Sequence, residues 1–571
     1  MKPTLPVHLL AVIHSSHAWL ALAALGVPST VLGQAAQHKH YEQTAEAAKP
    51  APTGELAPRL QNLGTHRFPV TTRSAQAQKF IDQGIRLSYG FNHAEAERAF
   101  REAARLDPGC AMAYWGQALV LGPNINVPMA PEAEPQAYEL ARKAVALKTN
   151  ATARERGYID ALAQRYSGKA EDRAARDRAY ADAMKALMKR HAQDLDAATL
   201  YAEAVMDLRP WGYWMPDGSP YAETPEAVAV LESVLKRNPG HPGANHLYIH
   251  ILEPTAQAAR AEAAADRLLE LMPGAGHIVH MPSHIYMRVG RYADASAANE
   301  KAILADEDYI AQCRAQGIYP MGYYPHNIHF LWAAASMEGR GGAAIDAARK
   351  VATKVSHEAM DGLPLLAGFK LVPYYALTRF GRWDEMLAEP APPDRFLYLK
   401  GTWLYARGLA HVAKGQLDEA EKDLAEVRRI AADPALDFTL FSPNKAASIF
   451  AIAPEVLAGE LAAKRKDYDR AVAHLERGVR LEDGLVYTEP AEWHYPVRQA
   501  LAAVLLEAGR PNEAETVYWD DLRRNPENGW SLYGLAQALK AQKRDSDAAI
   551  VEARLAKAWA RADVKLTASR F

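Results

Sequence analysis

The chain has 571 residues, 49% of them apolar, with 66 lysines and arginines against 68 aspartates and glutamates. That length and apolar share allow a large buried core, and a formal charge of −2 supplies no field that would draw nucleic acid or anionic lipid to the surface. The two cysteines, Cys110 and Cys313, are too few for a disulfide framework or a thiolate metal site; whether they pair with each other stays open.

Residues 1–35 read as a secretory signal, with Lys2 ahead of an apolar run from Ala18 to Val27 and small residues near Gly33-Gln34-Ala35 for cleavage. The apolar run is short and Pro28 interrupts it, so no stable membrane span is expected after cleavage. The expected location is periplasmic or secreted. Residues 36–74, rich in Ala, Gln, Glu, Lys and Pro, read as a disordered leader. His38 and His40 in it would hold a metal only loosely.

From residue 75 onward apolar residues recur at spacings of three and four, and glycines and prolines punctuate at the intervals of helical turns. In the first such unit Phe80, Gly84, Leu87, Ala96, Phe100, Ala103 and Pro108 alternate large, small and apolar places over about 34 residues. Leu501, Gly509, Ala514, Tyr518 and Pro526 repeat the pattern, and Leu532, Leu535, Leu539 and Ala548 continue it. Weaker copies fall at Gly408, Gly415, Ala420 and Leu424, and at Gly459, Ala471 and Leu475. Residues 122–135 and 209–224 interrupt the series as inserted loops, the second carrying Trp211, Tyr213 and Trp214.

This pattern resembles the tetratricopeptide repeat (TPR) family, here as an exported member of bacterial type with a histidine-rich groove. The resemblance implies an all-α solenoid over residues 75–571, in which helical hairpins stack into a right-handed superhelix without separate domains. It also implies that the first helix of each hairpin lines a concave groove where a peptide or small molecule binds.

Histidines gather in residues 241–330. His246 and His250 stand four apart; His277, His280 and His284 follow at spacings of three and four; His326 and His329 stand three apart. Such spacings place each set on one face of a helix. Pro273, Gly290 with Ala295, and Gly339 with Ala344 set the register of three consecutive repeats. In that register every one of these histidines falls at a groove-facing place of a first helix, as the resemblance implies. Neighbouring helices pack about 8–10 Å apart, close enough for their imidazoles to meet.

Neutral imidazoles bind transition metals through one ring nitrogen at about 2 Å while an oxygen acceptor holds the other. The expectation is therefore one or two ions held by His246, His250, His277, His280, His284, His326 and His329. Glu253 and Ser283 are candidates for the outer shell, Glu253 also as a ligand. Many nitrogens and few carboxylates favour copper or zinc, and iron remains open if Glu253 joins. His494, in Glu489-Pro490-Ala491-Glu492-Trp493-His494-Tyr495, is a further candidate if the superhelix closes on itself, although a helix cap explains it as well. Asn124 and Asn126 could line the groove, though turn chemistry explains them as well, and Tyr323, Tyr324 and Trp332 fit the core or a pocket.

No Gly-rich phosphate loop, nucleophile elbow or His-Glu-x-x-His sequence is present. Three functions follow from the residues: a metal-binding solenoid, a metal-dependent oxidoreductase or hydrolase using the same cluster, and a metal-free scaffold for a protein or peptide. An open coordination position beside a pocket would distinguish the second.

Overall fold

The computed structural model describes residues 54–313, 319–440 and 443–571. The expected signal over residues 1–35, the start of the expected leader, and His38 and His40 lie outside the described residues. Among those described there is no β-strand, only isolated bridges such as Asn124 with Val127 and Trp214 with Pro220. The architecture is all-α and TPR-like, with antiparallel helical hairpins packed each upon the next.

The first hairpin shows why the repeat pattern folds this way. Helix α1 (Ala75–Tyr89) starts at Ser74, whose hydroxyl accepts from the Ala77 N–H, and α2 (His93–Leu106) starts at Asn92, whose side chain accepts from Glu95. Phe100 of α2 lies against Gly84 of α1, where an added Cβ would meet the ring at 2.6 Å. The small place exists to admit the large one.

The helices that build the site are α3 (Pro242–Leu252), α4 (Gly276–His280), α5 (Pro282–Val289), α6 (Tyr292–Cys313) and α7 (Tyr324–Glu338). Pro282 lacks an N–H, so the histidine-bearing run 276–289 divides at Met281 into α4 and α5 while Met281 itself stays in helical conformation. Helix α3 packs on α1 and α5, and α4 packs on α6 and α7. A π-helical turn, Tyr319–Tyr323, precedes α7.

Two apolar cores meet at this place. One extends from Ala57 to Ala334 and the other from Ile303 to Leu566, so α6 and α7 contribute to both. The C-terminal part of the chain returns to the same helices. Trp530 Nε1 donates to the Ser336 carbonyl at 2.9 Å, and the Asp563 carboxylate accepts from the Gly341 and Gly342 N–H groups at 2.6 and 3.0 Å. The apolar run Ala446–Lys464 has the length and hydropathy of a membrane span, yet 72% of it is buried inside the protein, as a core element is.

One expectation needs correction. Residues 54–74, read as part of a disordered leader, are held against the first hairpins. Backbone N–H groups of Leu56, Leu60 and Phe68 donate to Glu102, Gln83 and Asp82, and Phe68 is fully buried, stacked on Trp115 at 5.6 Å. Low apolar content did not prevent docking, because side chains of α1 and α2 supply the acceptors that a strand partner would otherwise provide. Cys110 and Cys313 are both free and buried.

Candidate metal centre

Two of the three histidine-bearing stretches begin at a glycine in close contact with its neighbour. A Cβ on Gly243 would meet the Tyr89 ring at 2.4 Å, and one on Gly276 would lie 1.9 Å from Asp306 Oδ1. These contacts bring α3 down onto α1 and α4 onto α6. Six of the seven imidazoles then converge in two triads, His246 with His250 and His277, and His280 with His284 and His326; within each, the candidate ligand atoms lie within 4.8 Å of one another. All are buried except His326, which is partly exposed.

Each triad is backed by a phenylalanine. The Phe91 ring lies 4.4 Å from His246 and 5.8 Å from His277, and the Phe330 ring lies 4.7 Å from His280 and 4.6 Å from His284, all between ring centroids. Phe91, and Trp211 beside His250, have positive φ angles of 55° and 61°. A bulky residue in that region is strained by about 1–3 kcal/mol, a feature common where function fixes the backbone.

Hydrogen bonds fix which ring nitrogen is free. In the first triad His246 Nδ1 donates to the Tyr89 carbonyl at 2.7 Å and His250 Nδ1 donates to Glu253 Oε1 at 2.8 Å. The Nε2 atoms of both, and both nitrogens of His277, are buried without a hydrogen-bond partner. In the second triad His280 Nδ1 donates to Asn299 Oδ1 at 2.7 Å, and the Asn299 amide is oriented by donating to the Ala295 carbonyl. His284 Nδ1 donates to Glu253 Oε2 in a short contact. Both rings thereby carry their proton on Nδ1, yet His280 Nε2 and His284 Nε2 face each other at 2.9 Å. Two lone pairs directed at each other repel. Two nitrogens bound to one ion at 2.0–2.1 Å would lie roughly 3.0–3.4 Å apart.

The electrostatics agree with neutral rings. Burial holds His246, His277, His280 and His326 well below the usual imidazole range, and the neighbouring rings add to the effect. His250 is lowered by burial against the opposing pull of Glu253. Burial raises the Glu253 carboxyl, but His284 and His250 outweigh it and hold the group below the ordinary carboxylate range. Burial and the Glu253 charge push Glu489 well above that range. The first triad alone carries four unpartnered nitrogens at about 1–3 kcal/mol each. A soft or borderline cation would satisfy them.

Two candidates lie outside the triads. His329 borders the same cavity as His326 but joins neither triad: its ring stacks on Trp332 at 5.1 Å and meets Phe369 at 5.5 Å, because the next helical step of α7 turns it toward the second core. His494 stacks on Tyr375 at 4.2 Å with Nε2 3.2 Å from the Tyr405 hydroxyl, away from both triads. Glu253 links the triads, one oxygen to each, and Ser283 Oγ donates to the His280 carbonyl at 2.6 Å. Tyr323 lies against His277 at 4.7 Å, while Trp332 packs in the second core. Asn124 closes its own turn by accepting from Asn126 and Val127.

Sequence reasoning missed Asn299, Tyr487 and Glu489. Asn299 comes from the second helix of a hairpin, where no histidine marks it. Tyr487 and Glu489 come from a loop more than two hundred residues downstream, with the Tyr487 hydroxyl 3.3 Å from Glu253 Oε2 and Glu489 Oε2 3.4 Å from His284 Nδ1. A third polar group, His66, Asp196 and His241, was also missed. There Asp196 Oδ1 accepts from His66 Nε2 and the Tyr89 hydroxyl at 2.8 and 2.7 Å, and His241 Nδ1 accepts from the Ala244 N–H. That last bond leaves the His241 proton on Nε2, 3.3 Å from Asp196, so this cluster is a hydrogen-bonded hub that pins residues 54–74 to the fold.

No protein-family model matches the sequence. No curated protein matches it either. Among solved structures, the chain is similar to the Cut9-Hcn1 hetero-tetramer of APC/C (15% identity over 82% of this chain and 78% of that one, TM-score 0.30), to the human IFIT1 dimer with m7Gppp-AAAA (12%, 78% and 90%, 0.32) and to the TPR domain of P58(IPK) (12%, 82% and 99%, 0.22). At these scores the likeness adds nothing to the fold, which rests on the hairpins themselves.

Proposed function

We propose that the protein is a TPR-like solenoid that binds transition-metal ions, copper or zinc foremost, through His246, His250 and His277 and through His280, His284 and His326. The observation that carries this reading is the set of buried ring nitrogens left without partners while the opposite nitrogens of the same rings are held by oxygens. Iron is the less favoured ion, since the donors are almost all nitrogens. Each triad offers three protein ligands, the number typical of sites that keep a position for another molecule, and this favours a metal-dependent enzyme or ligand-binding protein over a closed structural site. A metal-free peptide groove fits less well, because the imidazoles are buried rather than displayed along an open face.

The test is elemental analysis of protein purified without a histidine tag, beside His280→Ala/His284→Ala. The expected result is a near-integral content of copper or zinc in the parent and a loss of at least half of it in the double variant. Absence of bound metal after reconstitution with copper, zinc and iron would refute the reading. Export through residues 1–35 is part of the same proposal, and sequencing the N-terminus of the protein recovered from cells tests it.

A further inference from the structure

The two triads are separate foci. An ion with bonds of 2.0–2.1 Å reaches only nitrogens within about 4.2 Å of one another. The candidate ligand atoms of each triad lie within 4.8 Å of one another, a spread that needs little closing, and among the described residues no set that meets this limit combines histidines of both triads. Each focus has its own outer acceptors, the Tyr89 carbonyl for the first and Asn299 for the second, and Glu253 gives one oxygen to each.

Both foci open on one cavity. It measures about 370 Å³, and His250 and His277 of the first triad, His284 and His326 of the second, and His329 outside both are in its wall, whereas His246 and His280 are not. Rings and apolar groups line it beside the histidines: Trp211 stands 5.2 Å from His250 and Tyr323 4.7 Å from His277, between ring centroids, and Pro210, Phe369 and Pro490 complete the apolar lining. No lysine or arginine lines the cavity among the described residues, and Glu489 and Glu492 do. With ions bound, Glu253, Glu489 and Glu492 already offset much of their charge, and no cationic side chain adds to the pull on a carboxylate or phosphate ligand. A flat neutral ring fits the apolar wall by stacking, and an oxygen on that ring fits the open positions of the metals. A volume of this size is at the small end of ligand pockets and suits a single ring.

Resting on the metal-binding reading above, we infer that the cluster holds two ions, one per triad, and that their shared cavity binds a small neutral aromatic molecule through a ring hydroxyl turned toward the metals.

The experiment uses the full metal-loaded chain. Metal content is measured first, in the parent and in His246→Ala and His326→Ala, and catechol is then titrated calorimetrically against benzoate and cyclohexanol. Two ions per parent chain, falling to one in each variant, and catechol binding at least tenfold tighter than either comparison compound are expected. Trp211→Ala, on a surface loop, keeps both ions and weakens catechol at least fivefold, and Trp211→Phe recovers most of the loss. A parent with one ion overturns this inference and leaves the metal-binding reading standing; a parent with none removes that reading itself. Two ions with catechol bound no better than benzoate, or unaffected by Trp211→Ala, overturns the assignment of the cavity. The parent stoichiometry decides the first part even if a histidine variant fails to fold.

Discussion

Glu253 is the residue on which both triads depend. It is fully buried, and each of its oxygens fixes the tautomer of one ring, His250 in the first triad and His284 in the second. Glu253→Gln keeps the shape but replaces one acceptor by a donor, which confronts one Nδ1–H with an N–H. Metal affinity is expected to fall about 10–100-fold, measured by competition with a chelator, while the helical signal stays unchanged; unaltered affinity would show that Glu253 does not orient the rings. The histidines outside the triads carry a different consequence. Burial holds His329 down to about 3 and His494 well below the usual range, whereas the unfolded residues take up protons below about 6.5. The unfolded state then binds more protons below that pH, so stability is complete above it and declines as pH falls toward the folded value, by about 1.4 kcal/mol per unit for each group. In metal-free protein the urea midpoint should drop between pH 7.5 and pH 5, and His329→Phe should remove about 2 kcal/mol of that drop. An identical pH slope in the variant would count against a neutral buried His329.

At the scale of the element, the site depends on how closely helices approach. Gly243 lets α3 lie on the Tyr89 ring, and the Tyr89 carbonyl is the acceptor for His246. Gly243→Ala therefore overpacks the contact and moves an imidazole in one step. A loss of about 1–3 kcal/mol is expected, together with lowered metal occupancy of the first triad. Gly415 provides the contrast: it has φ of +76° and nothing within 4 Å of an added Cβ. Gly415→Ala should lower stability by about 1 kcal/mol through backbone strain alone and leave metal content intact. Thermal melts paired with metal analysis separate the two cases, and equal metal loss in both would mean that helix approach does not position the ring.

At the scale of the whole molecule, the late repeats curl back so that the loop around Tyr487 and Glu489 lies over helices near residues 250 and 284. This turns a groove-facing cluster into an enclosed one. Tyr487→Ala should leave the metal stoichiometry unchanged and speed removal of the ion by a chelator about tenfold or more, because the cover is thinned while the triads remain. Unchanged stripping kinetics in a stopped-flow measurement would place the exit route elsewhere.

The helical hairpins and the grouping of the histidines were legible in the sequence, since both are local. Phe80, Gly84 and Phe100 report a hairpin through spacing alone, and His246 with His250, or His280 with His284, share a helix face because four residues make about one turn. Spacing says nothing of how far along α7 the site extends, which is why His329 was grouped with His326 although one further step turns it onto Trp332. Nor does composition reveal docking. Residues 54–74 look like a free leader until the acceptors of α1 and α2 come into place beside them. The division of the imidazoles into two foci, the choice of free nitrogen on each ring, and the return of Glu489 to His284 belong to tertiary structure. They depend on distances between segments far apart in the chain, and those are set only when the two cores close around α6 and α7.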